Sequence, residues 1–218
     1  MTLWAVLPVK EMAGSKQRLS PLLSPEERVA LTRVMVGEVL EALLGARGLA
    51  GVAVVTLDAW TTAKAERLGA QVITAGARDG HTGSVTAAAR VLAAEGATGV
   101  LTMPGDIPAA TSAEVEALVA AHGAAPAFTI APAHDEKGSN GVVLSPPGVV
   151  PLRFGEDSYY PHLSAARAQG IEPRIVPLPG VAMDIDRPED IAMFAGLDLA
   201  RGTRTLAWLQ EFGVLTRL

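Results

Sequence analysis

The chain has 218 residues, of which 49% are hydrophobic, with no cysteine and a net charge of −5. The length and hydrophobic share exclude a disordered chain and suit one α/β domain with a sizeable core, and the lack of cysteine excludes disulfides, thiolate metal sites and cysteine nucleophiles. The negative charge argues against nucleic acid or an anionic membrane as a partner, so any phosphate site must be a local cluster of cations.

The first predicted element is a strand over residues 3–9, which is apolar throughout and therefore expected to be buried on both faces. No basic region precedes this run, which argues against a signal peptide. No apolar stretch reaches about 18 uncharged residues, which argues against a membrane span. We therefore expect a cytoplasmic protein without a membrane partner.

Strands and helices alternate along the first half of the chain. Ser24 and Glu27 predict a capping box at the start of the first helix, where Pro25 takes the first helical position. Apolar residues then recur every four positions, which predicts one buried helical face. Further strands are predicted over residues 51–57, 71–74 and 100–103, and further helices over residues 59–68 and 84–94.

The same alternation continues in the second half. Thr111 and Glu114 predict a second capping box, and Asp186 with Glu189 predicts the N-cap of a late helix. The predicted strands cover residues 127–131, 141–144 and 173–178, the last at a sheet edge, and the predicted helices cover residues 111–123, 160–169 and 186–194.

This order of elements predicts a three-layer α/β/α fold with a mainly parallel, mixed sheet. We expect a single domain over residues 1–218, because no linker or repeat divides the chain. Its last residues, 196–218, are predicted to form an amphipathic extension and a candidate subunit contact in a homodimer.

The loop after the first strand carries the cations that a polyphosphate needs. Lys10, Lys16 and Arg18 supply positive charge, and Gly14 allows the backbone to approach a phosphate chain. The spacing is not that of a Walker A motif. An ordinary solvated surface loop remains the alternative interpretation.

Two acidic segments, far apart in the sequence, are candidates for holding a divalent cation. Asp106 follows the buried run 100–103, at the end where open α/β sheets bind ligands. Asp184 lies in the apolar run over residues 181–185, which is predicted to be extended and where an uncompensated carboxylate is costly to bury. With Asp186 they predict a Mg²⁺ site for nucleotide chemistry. The structural alternatives are a turn residue at Asp106 and a helix cap at Asp186.

Two further segments offer groups that bind anions. Ser139 and Asn140, between two glycines, present a hydroxyl, an amide and backbone N–H groups to a phosphate or carboxylate, although an ordinary turn is equally open. Gly155 and Ser158 precede a helix, whose N-terminus could hold an anion or simply be capped by Ser158. His162 lies on that helix and is a candidate to face the same site.

Taken together and in order, these motifs resemble a known family. They are Val9-Lys10, Lys16 with Arg18-Leu19, Asp106-Ile107-Pro108, Gly138-Ser139-Asn140, Phe154-Gly155 with Ser158, and Asp184-Ile185-Asp186 before Pro188-Glu189-Asp190. Over about residues 3–195 the chain resembles the phosphoenolpyruvate, 2-phospho-L-lactate and 3-phospho-D-glycerate guanylyltransferases of coenzyme F420 biosynthesis.

The resemblance implies a nucleotide-diphospho-sugar transferase fold and an enzyme that uses GTP and Mg²⁺. It implies transfer of GMP to a small phosphorylated acid with release of pyrophosphate. The residues and the resemblance together predict catalysis for Lys16, Arg18 and Asp106, nucleotide binding for Val9, Lys10, Gly14 and Ser84, substrate binding for Ser139, Asn140, Gly155 and Ser158, and metal binding for Asp106, Asp184 and Asp186.

One segment departs from the family pattern. The family has a Gly-Leu-Asn segment before the third helix, whereas Ser84-Val85 here is more similar to the base-side motif of cytidylyl and adenylyl transferases. This leaves open a nucleotidyltransferase with another base or acceptor, of molybdenum-cofactor or sugar-phosphate type, and a nucleotide-binding module without catalysis. The sequence does not choose among the three acids.

Overall fold

The structure, a computed structural model, describes residues 1–155 and 157–218. The strands are β1 (Leu3–Pro8), β2 (Gly51–Val55), β3 (Gln71–Ile73), β4 (Gly99–Thr102), β5 (Ala127–Pro132), β6 (Ser139–Ser145) and β7 (Arg174–Ile175). The helices are α1 (Pro25–Gly45), α2 (Ala59–Arg67), α3 (Gly80–Ala94), α4 (Ser112–Ala121), α5 (Tyr159–Ala168), α6 (Pro179–Ala182), α7 (Pro188–Gly196) and α8 (Arg204–Glu211).

All seven strands belong to one sheet, in the order β3-β2-β1-β4-β6-β5-β7. Strand β6 runs antiparallel to both of its neighbours, and the other pairs are parallel. The carboxyl ends of β1, β4 and β5 therefore lie at the same edge of the sheet as the amino end of β6. This confirms the predicted mainly parallel, mixed sheet.

Helices cover both faces of the sheet, as predicted. In β1, Leu3, Ala5 and Leu7 pack with apolar residues of α1 and α4, whereas Val6 packs on the opposite face with residues of α3 and α5. Burial on both faces explains why this strand is apolar throughout. Ser24 and Glu27 form the predicted capping box of α1.

The segment after α7 folds back onto α1. Leu209 and Val214 are fully buried with Leu31 and Met35 of α1, whereas Phe212 remains 50% exposed. The predicted extension is thus packed against its own chain, and its use in a subunit contact stays a prediction. In the described part of the chain, no helix combines the length and apolar character that crossing a membrane requires.

Three predicted boundaries are wrong for reasons of tertiary structure. Helix α3 begins at Gly80, four residues before the predicted start. A hydrogen bond from the Phe154 N–H to Thr82 Oγ1, 2.9 Å long, holds its first turn in place. Strand β6 begins at Ser139 rather than residue 141, because Ser139 pairs with Pro132 of β5.

The third wrong boundary concerns the late acidic segment. Residues 181–182, predicted to be extended, belong to α6, whose Gly180 N–H donates to Glu114 Oε1 at 2.7 Å. Asp186 is not the N-cap of α7, because Arg187 occupies that position. The carboxylate that accepts from the Asp186 and Arg187 N–H groups belongs to Asp190, not Glu189. The Asp186 side chain is therefore available for another partner.

Candidate active site

Four segments from distant parts of the chain meet at the carboxyl edge of the sheet. They are the loop after β1, the turn after β4, the amino end of β6 and the chain between α6 and α7. The Ile185 N–H donates to the Asp106 carbonyl oxygen at 3.0 Å, which joins the two acidic segments. The predicted convergence of these segments is therefore present.

Lys16 lies at the centre of this site. Its Nζ is 2.5 Å from Asp106 Oδ2 and 2.6 Å from Asp186 Oδ1, and its side chain is only 8% exposed. Burial alone would lower the pKa of Lys16, but the two carboxylates outweigh burial and raise the pKa above its ordinary value. The ammonium is therefore charged and forms ion pairs with two carboxylates at once.

The backbone holds Lys16 in this position at some cost. Lys16 adopts the left-handed conformation, with φ 50° and ψ 44°, at the start of a short 3₁₀ turn. This conformation is unfavourable for a residue with a side chain and persists where the surroundings enforce it. Buried Arg28 supports the loop by donating to the Leu23 carbonyl oxygen at 2.8 Å.

Asp184 is in a different electrostatic situation. The pKa of Asp184 is raised to about 6, first by burial and then by the nearby Asp106 and Asp186 carboxylates. Asn140 Nδ2 opposes this by donating to Asp184 Oδ1 at 3.0 Å, and the same nitrogen donates to the Val181 carbonyl oxygen at 3.1 Å. Asn140 therefore orients the Asp184 carboxylate, whose charge Lys16 does not neutralise.

Asp186 stays charged because Lys16 compensates for its burial. Burial would raise the pKa of Asp186, but the Lys16 ammonium outweighs burial and lowers it. Arg18 Nη1 lies 3.8 Å from Asp186 Oδ2, on the more exposed side of the pair.

The carboxylates of this site suit Mg²⁺ only together with further ligands. In residues 1–155 and 157–218, no three His, Cys, Asp or Glu side chains form a group that could hold a metal alone, and Lys16 lies between Asp106 and Asp186. Mg²⁺ is commonly bound through one or two carboxylates together with phosphates and water. The Asp184 carboxylate, which has Asn140 and His134 as neighbours but not Lys16, fits an ion held jointly with Asp106, Asp186 and a phosphate chain.

Two cavities meet at this carboxylate cluster. The first has a volume of about 680 Å³ and lies over β1 and the start of α3. The second has a volume of about 780 Å³ and lies over the start of β6 and the loop before α5. The residues that line both cavities are Lys10, His81, Pro104, Asp106 and Asp186.

The first cavity contains most of the residues predicted to bind a nucleotide. Val9, Lys10, Lys16 and Ser84 line it, and Gly14, with φ +83°, lies between two lining residues, Ala13 and Ser15. The hydroxyl of Ser84 donates to the Gly76 carbonyl oxygen at 2.9 Å, so it also fixes the start of α3.

The second cavity contains the residues predicted to bind an acceptor. Ser139, Asn140, Gly155 and Ser158 all line it, together with Arg18 and Asp184. Ser158 is the N-cap of α5 but makes no capping bond, because its hydroxyl donates to Ser139 Oγ at 3.1 Å. The alternative interpretations of a turn at Ser139 and a side-chain cap at Ser158 are therefore wrong.

Sequence reasoning missed several lining residues. Lys137 and Arg187 add positive charge to the second cavity, and Arg78 and His81 line the first. The His81 ring lies 4.3 Å from the Phe154 ring, and its buried Nε2 has no hydrogen-bond partner among the described residues. Each of the four lies within a few residues of a quoted motif, which is the signal that could have identified them.

The sequence matches one protein-family model, described as guanylyl transferase CofC like, over residues 3–215. A phosphoenolpyruvate guanylyltransferase from Rubrobacter xylanophilus is 40% identical over 195 residues, covering 88% of this chain and 93% of that protein. A 2-phospho-L-lactate guanylyltransferase from Methanothermobacter thermautotrophicus is 32% identical, covering 86% and 81%. A 3-phospho-D-glycerate guanylyltransferase from Colwellia psychrerythraea is 30% identical, covering 87% and 90%.

The fold is also similar to solved structures. A protein described as a nucleotide-diphospho-sugar transferase, from Desulfovibrio desulfuricans G20, superposes with a TM-score of 0.77 and 21% identity, covering 100% of this chain and 98% of that chain. At this identity the likeness concerns the fold alone, and it confirms the predicted nucleotide-diphospho-sugar transferase-like architecture.

Proposed function

The chain belongs to the family of CofC-like guanylyl transferases, and we propose that it transfers GMP from GTP to a small phosphorylated acid with release of pyrophosphate. The relatives named above act on phosphoenolpyruvate, 2-phospho-L-lactate or 3-phospho-D-glycerate. Phosphoenolpyruvate is the first candidate for the acceptor, because the relative at 40% identity is named for it. The product would serve coenzyme F420 biosynthesis.

The observation that carries this proposal is the meeting of two cavities at one charged cluster. A nucleotide in the first cavity and an acceptor in the second would both reach Asp106 and Asp186, which line both. Lys16 lies between these carboxylates. A transfer reaction requires this kind of shared wall, whereas binding of one nucleotide does not.

The reaction needs positioning and charge neutralisation more than proton transfer. The acceptor phosphate is already an anion, so one of its oxygens attacks the α-phosphorus of GTP without a general base. A new P–O bond forms in line with the bond to the β-phosphate, which breaks, and pyrophosphate leaves with the electron pair. Binding both reactants in adjoining cavities supplies orientation, and fixed cations stabilise the charge that develops.

We assign the charged steps to residues on either side of the cluster. Lys16 and Arg18 would neutralise the leaving pyrophosphate, and Lys10, which lines both cavities, would contact the phosphate chain. Ser139, which lines the second cavity, would hold the acceptor by donating a hydrogen bond, and Ser158 would support it by donating to Ser139 Oγ.

We further propose that Mg²⁺ is held by Asp184 with Asp106 and Asp186. When bound, the ion would supply Lewis-acid stabilisation to the phosphate oxygens. The chemistry of the donor set supports this, because Asn140 already orients the Asp184 carboxylate and carboxylate oxygens are ligands that Mg²⁺ prefers.

The test is a panel of four nucleoside triphosphates against the three phosphoacids, with Mg²⁺ present and pyrophosphate release measured. We expect release with GTP and at least one acid, and loss of that release in Asp106→Asn. Release with CTP or ATP in place of GTP would indicate a nucleotidyltransferase for another base, the alternative suggested by Ser84-Val85. Nucleotide binding without release for any acid would indicate a non-catalytic module.

A further inference from the structure

A buried histidine lies directly behind the proposed acceptor site. His162, on α5, is 0% exposed and does not line the second cavity. Its ring lies 5.0 Å from the ring of Phe154, edge to face, and 6.2 Å from the ring of Phe128. Both ring nitrogens are nevertheless in hydrogen-bonding contact, so the ring is fixed in orientation.

The two contacts determine which nitrogen carries the proton. The Arg153 backbone N–H donates to His162 Nε2 at 2.9 Å, and a backbone N–H can only donate. Nε2 must therefore present its lone pair, and a neutral ring then carries its proton on Nδ1. Burial lowers the pKa of His162 to about 4, which agrees with a neutral ring near pH 7.

The proton on Nδ1 in turn determines what Ser139 can do. His162 Nδ1 lies 2.9 Å from Ser139 Oγ, so the ring donates to this hydroxyl. Ser158 Oγ also donates to Ser139 Oγ, at 3.1 Å. A serine hydroxyl has two acceptor lone pairs and one proton, so both lone pairs are occupied.

The hydroxyl proton of Ser139 is left to point into the second cavity. Among residues 1–155 and 157–218, the hydroxyl of Ser139 makes side-chain hydrogen bonds only to His162 and Ser158, and Ser139 lines the second cavity. We infer that His162 is a positioning residue that makes the Ser139 hydroxyl a dedicated donor to an anionic oxygen of the acceptor. The inference rests on the proposed function, because the acceptor is the phosphoacid.

A donor-only hydroxyl also favours anionic acceptors over alcohols. A phosphate or carboxylate oxygen accepts this proton, whereas a substrate hydroxyl that needs an acceptor finds none on Ser139. His162 thus acts on specificity through Ser139, without touching the ligand.

Two matched substitutions separate the two contacts of the ring. His162→Asn places an amide near Nδ1, so it keeps a donor to Ser139 and loses the bond to Arg153. His162→Gln places its amide near Nε2, so it keeps an acceptor for Arg153 and loses the donor to Ser139. Each removes one buried hydrogen bond, so a purely structural role predicts similar kinetics for both.

We expect His162→Gln to raise the KM for the phosphoacid by about tenfold, the scale of one hydrogen bond to a charged group. The KM for GTP should change by less than about twofold. His162→Asn should restore the phosphoacid KM to within a few-fold of wild type. In a Ser139→Ala background, His162→Gln should add no further change, because the two residues act as one unit. Equal effects of both variants, or additivity with Ser139→Ala, would overturn the inference.

A spectroscopic measurement keeps the inference separate from the proposed function. In protein labelled with ¹⁵N-histidine, the His162 signals, identified by their loss in His162→Gln, should report a proton on Nδ1 at pH 7.5. A proton on Nε2, or on both nitrogens, would overturn the inference whatever the activity. Failure to couple any phosphoacid would overturn the proposed function and, with it, the acceptor assigned to Ser139.

Discussion

At the scale of single residues, the site is a balance of charges in which Lys16 pairs with two of the three aspartates and not with Asp184. Lys16 neutralises Asp106 and Asp186 within 2.6 Å. Asp184 instead lies 3.0 Å from the Asn140 amide nitrogen and 3.9 Å from His134 Nδ1, and its pKa is raised to about 6. A structure that keeps a buried carboxylate in this condition does so at the expense of stability, which is common where a ligand supplies the missing charge.

The first prediction concerns Asp184. Asp184→Asn should lower the rate of pyrophosphate release by about 100-fold or more, the scale of one lost transition-state contact. The melting temperature should not fall, because the amide oxygen can still accept from Asn140 and the buried charge is removed. Steady-state kinetics and calorimetry check both parts, and near-normal turnover would exclude Asp184 from the reaction.

The second prediction concerns Lys16. Lys16→Met leaves Asp106 and Asp186 facing each other without a cation, so we expect slower turnover and a free energy of unfolding lower by about 1–2 kcal/mol. The value is modest because both carboxylates are partly exposed. Mg²⁺ without nucleotide should raise the melting temperature of this variant more than that of wild type.

The matched control for Lys16 is another lysine ion pair outside the site. Lys64 Nζ lies 3.0 Å from Glu41 Oε1, between α2 and α1. Lys64→Met should lower stability without any added response to Mg²⁺. If the two variants and wild type respond equally to Mg²⁺, the carboxylates around Lys16 are not a cation site.

The third prediction is a pH dependence that originates at His162. The pKa of His162 is lowered from 6.5 to about 4, first by burial and then by His81, so between these values the unfolded chain binds a proton that the native chain does not. The contribution of this residue to stability is therefore complete above pH 6.5 and is lost as the pH falls to 4, by up to about 3 kcal/mol.

Urea unfolding from pH 7 to 4 tests this prediction in wild type and His162→Gln. The variant should lose less stability over this range, because glutamine takes up no proton. His81 and His122, whose pKa values burial also lowers, contribute equally to both proteins. Parallel stability curves would mean that folding does not lower the pKa of His162.

At the scale of elements, the sequence predicts features that depend on neighbouring residues but not boundaries that depend on tertiary contacts. The capping boxes at Ser24 and Thr111 depend on residues three positions apart, and both are present as predicted. The start of α3 depends on Thr82 meeting Phe154, 72 residues away. The start of β6 depends on pairing with β5. No local pattern carries such contacts, so the sequence alone placed these boundaries wrongly.

The segment after α7 also shows what an amphipathic pattern can and cannot predict. The pattern predicted a buried face but not its partner. In the structure that partner is α1, where Arg217 Nη2 lies 2.8 Å from Glu27 Oε1 and the Arg204 N–H donates to Glu38 Oε1 at 2.5 Å. The segment therefore stabilises the helix that supports the loop of Lys16.

The fourth prediction tests that packing. Leu209→Ala in α8 should lower the free energy of unfolding by about 2–4 kcal/mol, because Leu209 is fully buried against α1. Phe212→Ser, at a half-exposed position one turn later, should cost less than about 1 kcal/mol. Denaturant titration of both variants is the measurement. Similar small losses would mean that this segment is not part of the folded core.

At the scale of the whole molecule, the sheet topology assembles the site. Strand β6 lies between β4 and β5 in the opposite direction, so Ser139 and Asn140 at its start reach the edge where Asp106 follows β4. Lys16 and Asp186 meet there although 170 residues separate them. The order of the motifs predicted which residues assemble, because the family resemblance carried that information. It did not predict that Lys16 pairs with two of the three aspartates.

The chain carries a net charge of −5, so positive side chains near the site act only locally. Lys10, Arg18, Lys137 and Arg187 all line the second cavity, but the described lining also contains six aspartates, so these cations are local anion partners within an acidic wall. An acceptor that carries a phosphate and a carboxylate would therefore need a divalent cation in this cavity as well, in line with the Mg²⁺ proposed above.

The most direct test of the central claim, that this edge of the sheet joins GTP to a phosphoacid, is the mass of the product. Purified protein would be incubated with GTP, Mg²⁺ and each of phosphoenolpyruvate, 2-phospho-L-lactate and 3-phospho-D-glycerate in turn. We predict a product whose mass equals GMP plus one acid minus water, with phosphoenolpyruvate as the favoured partner, and its absence with Asp184→Asn. GTP recovered unchanged with all three acids would contradict the account.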